Sequence, residues 1–348
     1  MSERLLNILV PIVSIIIGII AGAIVMLVSG YDPIAGYIAL WNGIFGDMWT
    51  IGNSIRTITP YILSGLAVAF AFRTGLFNIG VEGQLLMGWL ASVYVGYAFD
   101  LPRIIHLPLA LLAAAAAGAF WAFIVGFLKA RFSVHEVIGS IMLNYTALYI
   151  TNALISRISD GGYKTPTVVE SATLRNDWLR ELTSNSSMHL GIIVAIIMVV
   201  VMWFLLQKTT LGYELKSVGF NQNAAKYAGM NVKKNVILAM TISGVFAGLA
   251  GAMEGLGTFQ NASMKSAFSG IGFDGIAVAL LGANTPLGVV FGATLFGSLK
   301  FGAIEMQSIA GIPTEIVSII IALIIFFVAS GYIIRVVIQK FAKKKEEI

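Results

Sequence analysis

Cysteine is absent from the 348 residues, and charge is scarce, with Asp, Glu, Lys and Arg together making up 11% of the chain. The first absence excludes disulfides and thiolate metal sites. The second excludes a cytosolic enzyme, because a soluble domain carries about a quarter charged residues to coat its surface. Only three histidines occur, His106, His135 and His189, too scattered to form a ligand set. No phosphate-binding loop is present either. The nearest match to GxxxxGK[ST] is GATLFGS from Gly292 to Ser298, which lacks the lysine and lies inside an apolar run. Any work driven by ATP therefore needs a different subunit to hydrolyse it. No basic patch interleaved with aromatics appears outside the apolar runs, which leaves nucleic-acid binding without support.

What the chain does have is apolar surface, with 58% hydrophobic residues, 37 glycines and 13 methionines. Its mean hydropathy is +0.89. Small residues let membrane helices approach closely, so this composition fits a protein dissolved in lipid. A bilayer core needs about 20 apolar residues per helix. Stretches that meet or nearly meet that need lie at 8–28, 55–72, 79–99, 107–128, 134–156, 189–207, 236–258, 268–284, 287–304 and 314–334. The expected fold is all-α, a polytopic membrane helical bundle of about ten transmembrane helices. The eighth and ninth stretches are short and glycine-rich, as broken or tilted helices are. The first lacks a convincing small-residue cleavage site and reads as an uncleaved span. The whole chain, 1–348, reads as a single membrane domain.

Loop charges set the expected topology. With the N-terminus inside, Arg4, Arg73, Lys129, Arg131, the basic residues from Lys208 to Lys234, and Arg335, Lys340 and Lys343 to Lys345 all fall inside. That places both termini in the cytoplasm by the positive-inside rule. The lysine tail also suits anionic membrane lipid. Two loops stand out. An outer one, about 157–188, is polar and holds a short amphipathic helix around Asn176 to Leu182. A cytoplasmic one, about 208–235, is the longest soluble stretch on its side.

The chain resembles itself at two places. IGVEGQLLMG from Ile79 and IGFDGIAVALLG from Ile271 each place an acid, Glu82 or Asp274, between glycines ahead of an apolar run. On the expected topology they enter from opposite sides, an inverted internal repeat of the kind that builds central sites in transporters. An acid in hydrocarbon is costly, so it faces a cavity, a partner or the interface. Asn78, Glu82, Gln84, Asn144 and Asp274 are therefore substrate-path candidates. The structural alternatives stay open: Glu82 paired with Arg73 at a helix start, Asn144 as glue between helices, and Asp274 near the outer surface. Glu254 and Asn284 pose the same question. The small-residue series from Ser243 to Gly257 reads as packing. In the cytoplasmic loop Asn221 is a good N-cap, Gln222 to Ala228 form two turns and Gly229 is a good stop. This short exposed peg buries little by itself and is useful if it fits another protein.

Five strings carry a family resemblance: 58–88, 129–145 (KARFSVHEVIGSIMLNY), 218–235 (VGFNQNAAKYAGMNVKKN), 243–259 and 270–290. Through them the chain resembles the membrane permeases of ABC-type importers in the branched-chain amino acid, ribose and nucleoside group, most nearly the bacterial nucleoside branch. The resemblance implies a bacterial cell-membrane import channel without chemistry of its own. It implies no cofactor on this chain, with ATP and Mg used by a partner ATPase. The other implied partners are a second homologous permease in a heterodimer and a lipid-anchored substrate-binding protein. The peg resembles a coupling helix, which would give Gly219, Asn221, Asn223, Ala224, Ala225 and Gly229 an ATPase-docking role. Asn223-Ala224-Ala225 with Gly229 matches the EAA-loop pattern, but Asn stands where many importers have Glu and the closing Leu-Pro is missing. A ribose, other sugar or branched-chain amino acid cargo, and an ion-coupled carrier using Glu82 and Asp274, remain as alternatives.

Overall fold

The computed structural model describes residues 3–330. Arg335, Lys340 and the lysine tail from Lys343 lie outside the described residues. Among the described residues the regular elements are all helices, joined by loops that share one isolated β-bridge between Lys164 and Ser263. The helices are α1 (Glu3–Val28), α2 (Pro33–Phe45), α3 (Met48–Arg73), α4 (Val81–Ala98), α5 (Arg103–Phe132), α6 (Glu136–Ile158) and α7 (Asp177–Leu182). They continue with α8 (Gly191–Lys208), α9 (Thr210–Phe220), α10 (Gln222–Tyr227), α11 (Val232–Ala252), α12 (Ile271–Leu281), α13 (Pro286–Ala310) and α14 (Thr314–Ala329). A π-helical turn, Met253–Thr258, extends α11.

Six of these are long and apolar enough to cross a membrane: α3, α5, α6, α8, α11 with its π turn, and α13. The other four expected stretches coincide with α1, α4, α12 and α14. Two helices were not foreseen, α9 within the loop 208–235 and α2. α2 has 13 residues, too few for a 20-residue hydropathy window to register, and Asp32 caps it by accepting from the Ile34 N–H at 2.8 Å.

The chain divides into two compact units, one of residues 1–54 with 298–348 and one of 55–297. In the first, α1 meets α14 at Gly18, where an added Cβ would lie 2.6 Å from the Ile324 Cα. Tyr37 of α2 donates its hydroxyl to the Ile19 carbonyl at 2.6 Å.

The second unit is organised around α4, α5 and α11, which pack backbone to backbone. A Cβ at Gly118 would lie 2.3 Å from the Gly244 carbonyl oxygen, one at Gly248 2.1 Å from that of Ala114, and one at Gly251 2.1 Å from that of Leu85. The series from Ser243 is thus packing, as its composition indicates. Close approach of helix backbones is what such residues permit in lipid, where dispersion and not water expulsion holds helices together.

α12 sets the depth of this unit. Its far end, at Ala283 and Asn284, accepts hydrogen bonds from the Arg73 guanidinium at 3.3 and 2.8 Å. Gly75, just beyond α3, packs on Gly219 of α9. The start of α12 lies one helix length away, about 16 Å at 1.5 Å per residue. That is about half of the ~30 Å hydrocarbon core. At this level the start of α12 meets the start of α4, so that a Cβ on Gly272 would lie 2.4 Å from the Glu82 nitrogen.

Candidate functional site

The capped short helix expected in the loop 208–235 is present. The Asn221 side chain accepts from the N–H groups of Asn223 and Ala224, each at 3.0 Å, and starts α10. Gly229 follows the helix at φ +82°, a conformation that favours glycine. Ala225 is buried, whereas Phe220 and Tyr227 stand 89% and 95% exposed on either side of it. Gly219 is seated against the Arg73–Gly75 backbone. The result is a capped peg of six residues carrying the uncovered Tyr227 ring, with that of Phe220 beside it at the end of α9.

The expected substrate-path residues converge, but into a closed network. Glu82, fully buried in the first turn of α4, accepts from the Ser269 hydroxyl at 2.6 Å and from the Gly270 and Gly272 N–H groups at 3.0 and 2.6 Å. Its carboxylate therefore caps α12, in place of a pairing with Arg73. Asn144 of α6 accepts from the Gly83 N–H at 2.8 Å and donates to the Ile79 carbonyl at 3.0 Å, which makes it glue between helices. The Asn78 amide bonds Gln84 at 2.9 and 3.0 Å and Ser243 at 2.8 Å, and Ser243 donates to the Ala67 carbonyl at 2.6 Å. Asp274 is half-buried and takes the Tyr61 hydroxyl at 3.2 Å. Four of the five candidates thus join the starts of α4 and α12 to α6 and α11, while Asp274 ties α12 to α3.

A second group escaped sequence reasoning. Between the π turn and α12 the chain runs without helix from Phe259 to Gly270. Its first part pairs with the loop after α6: Thr165 and Val168 donate to the carbonyls of Ala262 and Gln260 at 2.9 Å, and Met264 donates to that of Tyr163 at 2.9 Å. Its second part follows α6 inward. Asn152 brackets the Lys265 backbone at 2.8 and 2.9 Å, and the Tyr145 ring meets Phe268 edge-on at 5.0 Å. The Phe259 ring stacks on Trp89 at 5.3 Å and 14°. The Lys265 ammonium lies 4.4 Å from the Trp89 ring and 5.9 Å from that of Phe259. The signal in the sequence was the polar interruption FQNASMKSAFSG between two apolar runs.

Above this segment Arg175 donates to the Gly257 carbonyl at 2.8 Å and to that of Thr258, satisfying the open end of the π turn. His189 is buried, accepts from the Gly191 N–H at 3.1 Å, and has its pKa pushed down to about 3 by burial, with the Arg56 and Arg175 charges adding to the effect. The short helix expected in the loop 157–188 is α7, capped by Asn176 through the Trp178 N–H at 3.1 Å. No group of three or more His, Asp or Glu side chains gathers to hold a metal among the described residues.

Comparison with known proteins gives a consistent picture. A family profile described as the branched-chain amino acid transport system / permease component matches residues 50–329. The chain is 62% identical over 345 residues to the guanosine ABC transporter permease protein NupP of Bacillus subtilis, covering 99% of each chain. It is 42% identical to the nucleoside ABC transporter permease protein NupB of Lactococcus lactis, covering 98% of this chain and 95% of the relative. A second guanosine ABC transporter permease protein of Bacillus subtilis, NupQ, is 32% identical over 72% of this chain and 79% of its own length. With apolar helices long enough to span, a buried glycine core and a full-length match to such permeases, this chain is a multi-pass membrane protein and belongs to the permease-component family of ABC transport systems.

Proposed function

We propose that the chain is the membrane-spanning subunit of an ATP-driven importer that carries nucleosides into the cell. The observation that carries this reading is the capped peg Asn221–Gly229, which exposes Tyr227 beside the Phe220 ring and rests through Gly219 on the backbone after α3. Full-length similarity to guanosine and nucleoside permeases supports the cargo. The peg is the seat for an ATPase subunit, which binds and hydrolyses ATP with Mg. Gly219, Asn221, Asn223, Ala224, Ala225 and Gly229 form that seat. This chain needs no cofactor of its own.

The fuller architecture is a single domain over 1–348 with ten spans, both termini in the cytoplasm, and the two GxEG and GxDG segments as the hearts of inverted halves. Asn78, Glu82, Gln84, Asn144 and Asp274 serve the substrate path by holding those halves together. ATP binding closes the ATPase and shifts the peg, α9 passes the shift to the Arg73–Gly75 corner, and the path opens to the other side. The partner permease is a related chain, in keeping with the two guanosine permeases of one organism. A lipid-anchored binding protein delivers cargo at the outer loop, about 157–188.

The test is uptake of labelled adenosine and uridine in cells with and without the chain, with guanosine, ribose and leucine as competitors. Uptake that needs the chain, yields only to nucleosides, and stops on ATP depletion while the ion gradient is kept supports the reading. Ribose or leucine competition would overturn the cargo. Persistence without ATP would overturn the coupling.

A further inference from the structure

Lys265 and Phe268 lie beside Asn152 and Tyr145, which stand at the seventeenth and tenth positions of the 23-residue helix α6. The second part of the segment, Lys265–Phe268, therefore runs along the middle of a helix long enough to span. Non-helical backbone is tolerated at such depth only where protein buries it or where it lines a water-filled cavity. Here it is not buried: Ser266, Ala267 and Ser269 are exposed, and Phe259 is 50% exposed. Lipid does not suit this surface either, because it carries a lysine and hydroxyls.

One part of the segment is built for a flat ligand. Trp89 is almost wholly buried and its indole N–H is fixed on the Asn261 carbonyl at 2.9 Å, so the platform under Phe259 does not tilt. The Lys265 ammonium beside the stack has Glu254 and Glu82 as its nearby carboxylates, and neither closes to an ion pair. A rigid ring stacked on a second ring, with a cation alongside, attracts a planar heterocycle by stacking and supplies donors for its ring nitrogens and carbonyls.

Resting on the nucleoside reading above, we propose that Phe259–Gly270 lines the aqueous translocation path, and that Phe259, on its Trp89 platform beside Lys265, is the subsite that holds the nucleobase in transit. The Ser266 hydroxyl and the Lys265 ammonium lie on the same segment to meet polar groups of the cargo.

The chain has no cysteine, so one introduced thiol reports one place. The complete importer in membrane vesicles would carry Ser266→Cys, or Ile196→Cys on the exposed apolar side of α8 as a reference. Labelling of this chain by a charged, water-soluble thiol reagent would be read by mass. Ser266→Cys is expected to label and Ile196→Cys to resist, with guanosine slowing the first and ribose having no effect. Adding Phe259→Ala should raise the guanosine concentration needed for protection by about tenfold, within the range for loss of one stacked base, while Phe259→Tyr keeps it. Labelling of Ser266→Cys as slow as that of Ile196→Cys, or indifferent to guanosine, overturns the proposal. So does protection unchanged by Phe259→Ala. Guanosine uptake by the unsubstituted importer separates the two readings. Uptake with no protection removes the subsite alone, and no uptake removes the nucleoside reading and the subsite with it.

Discussion

Glu82 gives a perturbation whose size follows from counted hydrogen bonds. Its carboxylate receives three donors, the Ser269 hydroxyl and the Gly270 N–H on one oxygen and the Gly272 N–H on the other. Glu82→Ala strands the buried Gly272 N–H and the part-buried Gly270 N–H, at about 1–3 kcal/mol each when unsatisfied, so the start of α12 is weakened by ~4 kcal/mol. At about 1.4 kcal/mol per decade that is a roughly thousandfold rise in local opening. Glu82→Gln keeps an oxygen for the first pair and turns its amide toward Gly272. It loses one bond, and opening rises about ten- to hundredfold. The assay is amide hydrogen exchange, read by mass, on peptides covering 268–278 of the permease in lipid nanodiscs, with a peptide from α5 as reference. Loss of protection confined to the start of α12, larger for Ala than for Gln, is expected. Wild-type protection in the Ala variant, or equal loss across α5 and α12, would refute the cap and leave Glu82 free to face cargo.

Other expectations follow from the same geometry. Ala225→Trp, which forces bulk into the buried side of the peg, should abolish nucleoside uptake while the chain still reaches the membrane, as seen by comparing transport with immunoblots of the membrane fraction. Gly229→Ala places a Cβ at φ +82° and should weaken the peg by about 1–2 kcal/mol, lowering uptake without lowering abundance. Gly248→Leu drives a side chain into the Ala114 carbonyl and should lower the thermal midpoint of purified permease by several degrees or prevent its recovery. His189 stays neutral in the fold down to about pH 3 but takes a proton near pH 6.5 when unfolded. The unfolded chain then binds more protons in that window, so stability falls as pH drops through it, by about 2 kcal/mol at pH 5. His189→Asn, which keeps an acceptor for the Gly191 N–H, should flatten that loss in thermal melts between pH 7 and 5.

Composition and period made the helical membrane class legible, and for six of the ten apolar stretches length and apolarity were enough. Caps were equally readable: Asn221 and Gly229 act as local rules dictate, because each acts on backbone within a few residues. Glu82 was legible as exceptional but not in its role. Its partners are Ser269, Gly270 and Gly272, and no local rule reaches across that separation. The Arg73 alternative failed for the same reason, since the nearest opposite charge in sequence was not the nearest demand in space. Lys265 and Phe259 looked like loop residues. Only the descent of the second part of the segment along α6 carries Lys265 inward from the loop end, while the stack on Trp89 is what fixes Phe259. α2 was hidden by its shortness.

The turn from α3 into α4 holds α12 at both of its ends, Arg73 at the carbonyl end and Glu82 at the amide end. Each charge also opposes the pole of the α12 dipole that it touches. A rod gripped at both ends by one hairpin keeps no independent freedom to slide or tilt. Whatever displaces the hairpin displaces the rod by the same amount, and the hairpin's corner at Gly75 is where α9 rests. On the proposed coupling, a shift of the peg reaches the start of α12 through that corner and both grips.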